Sequence, residues 1–440
     1  MQRTAICCLG AAALGALVLA GSAPPAGRPW ALTNLVRVAR HRYPRYTKIR
    51  ALRLTQDGAV YWVAQPENAA NGPQEVFRWQ NGRTADLGSP GPKLDVVAVN
   101  DREQFVVETR SNPVPSCPGS CQMVPQPPMH AYLWEHHRLT SLGSLGGTST
   151  SAVAIDDKGQ IVGSSQVGNG RHDQHAFVWQ DGKMTDLGTL GGPSSYATAI
   201  NDRGQIVGTS TLKDPHRRHG FLWQDGKLTD LGTLGGGTSS PVAINDRGQV
   251  IGQSTDAAHP YEGEAFFWQR GKMTEIGTLD LAGYPISCES NTITPKCAHP
   301  CPRARTATCA YWRSVVTAID DRGDVDGMTE TDSGAGRAFL WRAGKLTDLG
   351  TLGGWSSGAT AIDDRGDVVG WSETKRVPFT AFRAPGIRPF VWRAGRLTEL
   401  PTEVGEPTQA TVIGLSGLEI LGAAEYGLDG NQLLLWRRAG

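Results

Sequence analysis

Residues 175–192 read HAFVWQDGKMTDLGTLGG, and residues 197–210 read ATAINDRGQIVGTS. Together they hold four short apolar runs joined by polar turns. Asp181-Gly182 separates FVW from KMTDL, and Asn201-Asp202-Arg203-Gly204 separates ATAI from QIVG. Asn and Asp suit turn positions, and glycine takes the positive φ that a tight hairpin needs. The breaks come too often for a 3.6-residue apolar period to develop, which excludes stacked helices. The stretch therefore reads as two β-hairpins in succession, four antiparallel strands in all.

The unit recurs. AIDDKGQIVG begins at Ala154, AINDRGQVIG at Ala243, AIDDRGDVDG at Ala318 and AIDDRGDVVG at Ala361. The other phrase returns with Trp79, Trp134, Trp179, Trp223, Trp268, Trp341, Trp392 and Trp436, at spacings of 55, 45, 44, 45, 73, 51 and 44 residues. The basic period is about 44, with insertions in three units. Four strands of about five residues and their connections fill such a period. That unit is the blade of a β-propeller, so the expected fold is all-β. Side-chain size orders the strands within the wedge. Small residues, such as Ala197 with Ala199 and Ala359 with Ala361, mark the crowded inner strand, with Pro241 a departure. Phe221, Leu222 and Trp223 need the wide outer part. Asp186, Asp230, Glu275, Asp348 and Glu399 place a charge on the outermost strand, where charge discourages edge-to-edge pairing.

The two ends of the chain count the blades. The C-terminus, LLLWRRAG, stops at a third strand, and Leu32-Thr33-Asn34-Leu35 imitates the LTDL of a fourth. An N-terminal strand is therefore expected to complete the C-terminal blade and lock the ring. Inner hairpins near Gly58, Asp101, Gly159, Gly204, Gly248, Gly323, Gly366 and Gly417 give eight blades. Seven is the alternative if one diverged unit does not form a full blade.

On the two stretches quoted first, the sequence resembles the HAF family of probable extracellular repeat proteins. The resemblance covers most of the mature chain, clearly in the units around Trp134 to Trp341 and weakly in the first and last. It implies export and a repeat fold, and carries no reaction, substrate or catalytic residue. The chain departs from the pattern at Glu103, where the turn glycine belongs, and at Glu264, Arg337 and Arg388, where the leading histidine belongs.

Bulk composition agrees with export. The 440 residues carry a net charge of +1, which gives no pull toward nucleic acid. The 55 glycines exceed the roughly 31 of an average chain this long. With 13 Trp, they suit many tight turns around aromatic strands. Residues 1–23, with one early arginine, an apolar run and then small residues, are expected to be a signal peptide. Residues 28–440 are then one propeller domain, secreted or periplasmic and monomeric, without membrane insertion. No metal or cofactor is expected.

Six cysteines remain in the mature chain, all outside the repeat cores. Cys117 and Cys121 lie in one insertion, and Cys288, Cys297, Cys301 and Cys309 in another. An even count in an exported chain favours disulfides. The favoured pairing is Cys117–Cys121, Cys297–Cys301 and Cys288–Cys309, although four cysteines in one segment allow three connectivities. A zinc site using His299 is the rival, and it lacks paired CxxC or HxxxH spacing.

The insertions are where a site is expected. Residues 108–130 and 373–388 join second to third strands, and residues 280–314 join two blades. In a propeller these connections share one face. Long loops on a rigid scaffold tend to carry function. The expected ligand is a glycan, an envelope component or an extracellular protein. Arg303, Arg305, Tyr311 and Trp312 are the binding candidates, because arginine with aromatics suits such partners. Solvated charge and packing under the loop are the bland alternative.

Other motifs read as architecture. His130, His175 and His219 occupy equivalent positions in successive blades, about 14 Å apart for strands spaced about 4.8 Å. They cannot share one ion with Zn–N bonds of about 2.0 Å. They are expected to be structural, for instance capping a loop. The pairs Asp156-Asp157, Asp320-Asp321 and Asp363-Asp364 recur by symmetry, whereas a catalytic pair is singular. Arg322-Gly323-Asp324 and Arg365-Gly366-Asp367 spell RGD only because Asp replaces the Gln205 of the same turn. No GxSxG, HExxH, P-loop or EF-hand pattern is present. A quinoprotein dehydrogenase is disfavoured because Trp precedes the turn. The expected function is non-enzymatic binding. The alternative is a hydrolase or lyase acting on glycans, with scattered carboxylates on the loop face.

Overall fold

The computed structural model describes residues 30–35, 46–55, 57–66, 73–109, 128–168, 173–257, 263–279, 314–330, 335–374, 386–402, 409–416, 419–425 and 431–438. Four-residue to ten-residue strands follow one another as antiparallel hairpins, as the spacing of turn residues requires. They assemble into eight four-stranded blades: 46–88, 94–141, 146–188, 195–232, 235–275, 314–348, 357–399 and 409–438. Blade eight takes its fourth strand from Trp30–Asn34. Blades four and five are linked by one parallel bridge, Arg218 to Thr238. The inner strands touch in order, and the eighth touches the first, so the ring closes. The count is eight, not seven.

The N-terminal strand runs antiparallel to Asn431–Arg438, with Leu32 opposite Trp436. Leu32 packs on blade eight beside Val412 and Trp436, and Leu35 packs among Leu54, Trp62 and Leu435. The clasp is thus anchored in the cores of both the first and the last blade.

Small inner residues have a geometric purpose. In every inner strand one residue is skipped by the pairing register, Thr198 in blade four. Leu52, Val97, Val153, Val242, Thr317, Thr360 and Ile413 are skipped at the same place in the other seven. Such a bulge increases local twist and bends the strand. Farther out, Phe77, Phe177, Phe221, Phe266, Phe339 and Phe390 are fully buried. Each phenyl contributes about 1.5–3 kcal/mol by leaving water. Gly208 makes room for one of them. A Cβ there would lie 2.0 Å from the Tyr196 carbonyl oxygen and 2.7 Å from the Phe221 ring.

Blades pack face to face through apolar side chains. Val207, Leu222 and Leu231 of blade four meet Ile244, Val250 and Phe266 of blade five. Asp326 breaks this rule in blade six, standing where Val207 stands in blade four. It is completely buried, and its Oδ1 accepts the Ala318 N–H at 2.8 Å. Its Oδ2 has no hydrogen-bond partner among the described residues, and burial holds the carboxyl well above the usual range.

Candidate functional site

The Asn-Asp-Arg-Gly turns are built for contact between blades. Asn201 Oδ1 accepts the N–H groups of Arg203 and Gln205 at 3.1 and 2.9 Å, closing the turn. Its Nδ2 then donates to the Asn245 carbonyl of the next blade at 2.8 Å. The neighbouring residue makes a second link, from the Asp202 N–H to Asp246 Oδ1 at 3.0 Å. The same link runs from Asp101 to Asp157, Asp157 to Asp202, Asp246 to Asp321 and Asp321 to Asp364, at 2.8–3.1 Å. These aspartates accept backbone N–H groups in a one-way chain from blade two to blade seven.

Three blades hold Asp where Asn201 stands: Asp156, Asp320 and Asp363. Without an amide they lack the donor to the next blade. Burial pushes Asp156 and Asp320 up to about 6 and raises Asp363. Among the described residues, Asp156 Oδ2 and Asp363 Oδ2 are buried without a hydrogen-bond partner. Arg322 Nε donates to Asp320 Oδ2 at 3.1 Å.

The RGD triplets point inward. Asp324 and Asp367 are buried. Arg322 and Arg342 each reach Asp324 Oδ2 at 2.8 Å, and Arg393 Nε reaches Asp367 Oδ2 at 2.7 Å. Neither triplet presents an accessible carboxylate.

On the opposite face, histidines pair across strands rather than capping loops. His175 Nδ1 lies 2.8 Å from Asp186, and His219 Nδ1 lies 2.9 Å from Asp230. Asp186 Oδ1 and Asp230 Oδ1 also accept the N–H groups of Gly188 and Gly232, each at 2.7 Å. The fourth-strand acid therefore holds its own turn as well as a third-strand histidine. Arg337 takes the histidine's place with Asp348 at 2.7 Å, and Arg388 with Glu399 at 3.5 Å. Glu264 is instead buried beside Ser314 Oγ, at 3.3 Å. His130 is exposed, and its N–H donates to Thr109 Oγ1. The second nitrogen of His219 faces Arg217, so this Asp–His pair is not aimed at a nucleophile.

The strand ends flanking all three insertions open on this histidine-bearing face. Arg303, Arg305, Tyr311, Trp312 and all six mature-chain cysteines lie outside the described residues. One residue that sequence reading passed over stands out here: Trp355, 42 % exposed. It follows Gly353-Gly354 where the other repeats have Thr148, Pro193 or Gly237. Glu373 Oε2 holds its base by accepting the Trp355 and Ser356 N–H groups at 3.0 and 3.1 Å. The available clue was a tryptophan in a Gly-Ser turn, away from the strand position of every other repeat tryptophan. Among the described residues, no three His, Cys, Asp or Glu are grouped to hold a metal. No helix among them is long and apolar enough to cross a membrane.

No family model matches the chain, and no curated protein matches it in sequence. Solved structures do. The β-propeller domain of the Trilobed protease from Pyrococcus furiosus, described as having an open velcro topology, aligns at 10% identity and a TM-score of 0.41. The match covers 69% of this chain and 84% of that one. A prolyl endopeptidase aligns at 11% and 0.49, over 86% of this chain and 54% of its own. Porphyromonas gingivalis dipeptidyl peptidase 4 aligns at 9% and 0.39, over 86% and 64%. The likeness is one of propeller fold alone.

Proposed function

We propose that this chain is an exported, non-enzymatic binding propeller. It holds a glycan, an envelope component or a protein on the face from which the three insertions leave. Trp355 carries this reading, as an exposed, unrepeated indole on that face whose backbone is fixed by Glu373. A flat amphipathic ring stacks on a sugar or enters a pocket on a protein partner, and such residues dominate binding energy. The repeated acids of the other face are engaged with backbone N–H groups, which favours a scaffold over a hydrolase.

The test is a screen of the mature chain against glycans and envelope proteins. It is repeated with Trp355→Ala and with residues 284–312 deleted. A hot-spot tryptophan is worth about 2 kcal/mol, roughly 30-fold in affinity. Trp355→Ala is expected to weaken capture by that factor while the melting temperature stays put. Unchanged capture by both variants refutes the reading. Release of reducing ends from a bound glycan would instead favour the hydrolase.

A further inference from the structure

The junction between blades one and two is unlike the others. In six blades the residue at the entrance to the second strand, the last before it or the first within it, bonds the end of the third. The pairs are Gln104–Glu135, Gln160–Gln180, Gln205–Gln224, Asp324–Arg342, Asp367–Arg393 and Glu419–Arg437. Gln104, Gln160, Gln205 and Glu419 also lie over the turn glycine of the following blade, as Gln160 does over Gly204, and Arg342 does so over Gly366. Blade one has Ala59 at that position, and blade two has Glu103 in place of the glycine, at φ 59°. Tyr61 and Arg78 occupy the positions where Val207 and Leu222 seal blade four against blade five. A missing side chain and two polar replacements leave a cavity of about 390 Å³.

The cavity is polar and firmly held. Arg78 pairs with Glu103, which also accepts the Tyr61 hydroxyl at 3.3 Å. Gln80 Nε2 donates to Asp57 Oδ2 at 2.7 Å, and Arg53 reaches Asp101 at 3.0 Å. Tyr61 is pushed up to about 12, chiefly by burial and then by Glu103, so it keeps its proton. Arg78 and Glu103 are 38% and 36% exposed and form the mouth.

We propose that this cavity binds one neutral sugar residue. The lining carries three carboxylates, Asp57, Asp101 and Glu103, against Arg78 and Arg102. Arg53, behind the lining, pairs with Asp101 at 3.0 Å and lies 3.7 Å from Asp157, so the site carries little net charge to draw in an anion or a cation. What remains is an alternation of fixed acceptors and donors. Hydroxyl groups match it because each both donates and accepts, and bonds to ionised partners are the stronger kind. The volume is at the lower end of the ~300–1,000 Å³ of small-molecule sites, room for one ring. The cavity is on the hairpin face, so this inference stands apart from the loop-face reading.

Saturation-transfer NMR with a panel of neutral methyl glycosides tests it, with methyl glucuronide and glucosamine as charged controls. At least one neutral glycoside is expected to bind the wild type and to lose tenfold or more in Arg78→Leu and Glu103→Gly. Both changes install residues found in sibling blades, so folding should survive. Tyr61→Phe, which removes only the hydroxyl, should weaken binding severalfold. Binding should persist in Trp355→Ala and in the 284–312 deletion. The proposal is overturned if no neutral glycoside binds, if a charged control binds better, or if the three cavity variants bind as the wild type does. Loss in Trp355→Ala alone would assign the sugar to the loop face.

Discussion

Asp156→Asn should stabilise the protein at neutral pH and do little in acid. The carboxyl titrates near 3.8 in the unfolded chain and at about 6 in the fold, where burial opposes its charge. Below pH 3.8 it is protonated in both states and costs nothing. Between the two values unfolding releases a proton, so wild-type stability falls as pH rises. Above pH 6 the loss is complete. Two pH units at about 1.4 kcal/mol each set a ceiling of about 3 kcal/mol. Asn would also supply the donor that Asn100, Asn201 and Asn245 extend to the next blade at 2.7–2.9 Å. We expect urea unfolding at pH 7.5 to show a gain of about 2–3 kcal/mol, shrinking below about 1 kcal/mol at pH 4. No gain at pH 7.5, or an equal gain at both values, would refute the reasoning.

Three further changes probe other links. Gly204 has φ +78°, and a Cβ there would sit 2.8 Å from Gln160 Oε1. Gly204→Ala should cost about 1–2 kcal/mol, and adding Gln160→Ala should recover about 0.5 kcal/mol or more in a double-mutant cycle; strict additivity would argue against the contact. Asp326→Val restores the residue type of Val207 and should raise stability at pH 7.5 by about 1–2 kcal/mol, read as a higher melting temperature. Leu35→Ala should cost about 2–5 kcal/mol by opening a void under the clasp, and a melting curve unchanged from the wild type would show that the clasp does not bear load.

Turn chemistry is local, which is why the blades could be read from the chain. Asn201 and Gly204 specify a hairpin whatever surrounds them, and Leu32-Thr33-Asn34-Leu35 betrayed the clasp because it copies a strand it replaces. The bond from Asp202 to Asp246 was not legible, since it joins turns 44 residues apart whose only shared signal is symmetry. Nor was the double duty of Asp186, because a charge on an edge strand has a sufficient reason without a partner. The cavity was hardest: Glu103 was visible as a departure, but Ala59 signals only by what it lacks. The insertions drew attention by length and cysteine content, and Trp355 escaped it by sitting in an ordinary repeat turn.

The one-way chain of turn contacts makes the interior units interchangeable. Each offers an N–H forward and a carboxylate backward, so a duplicated unit between blades two and seven arrives with both couplings already in place. The units at the clasp have no such freedom, because each must also recognise the N-terminal strand. The eighth inner strand must still meet the first, so each interior unit also has to fill one fixed wedge of a closed ring.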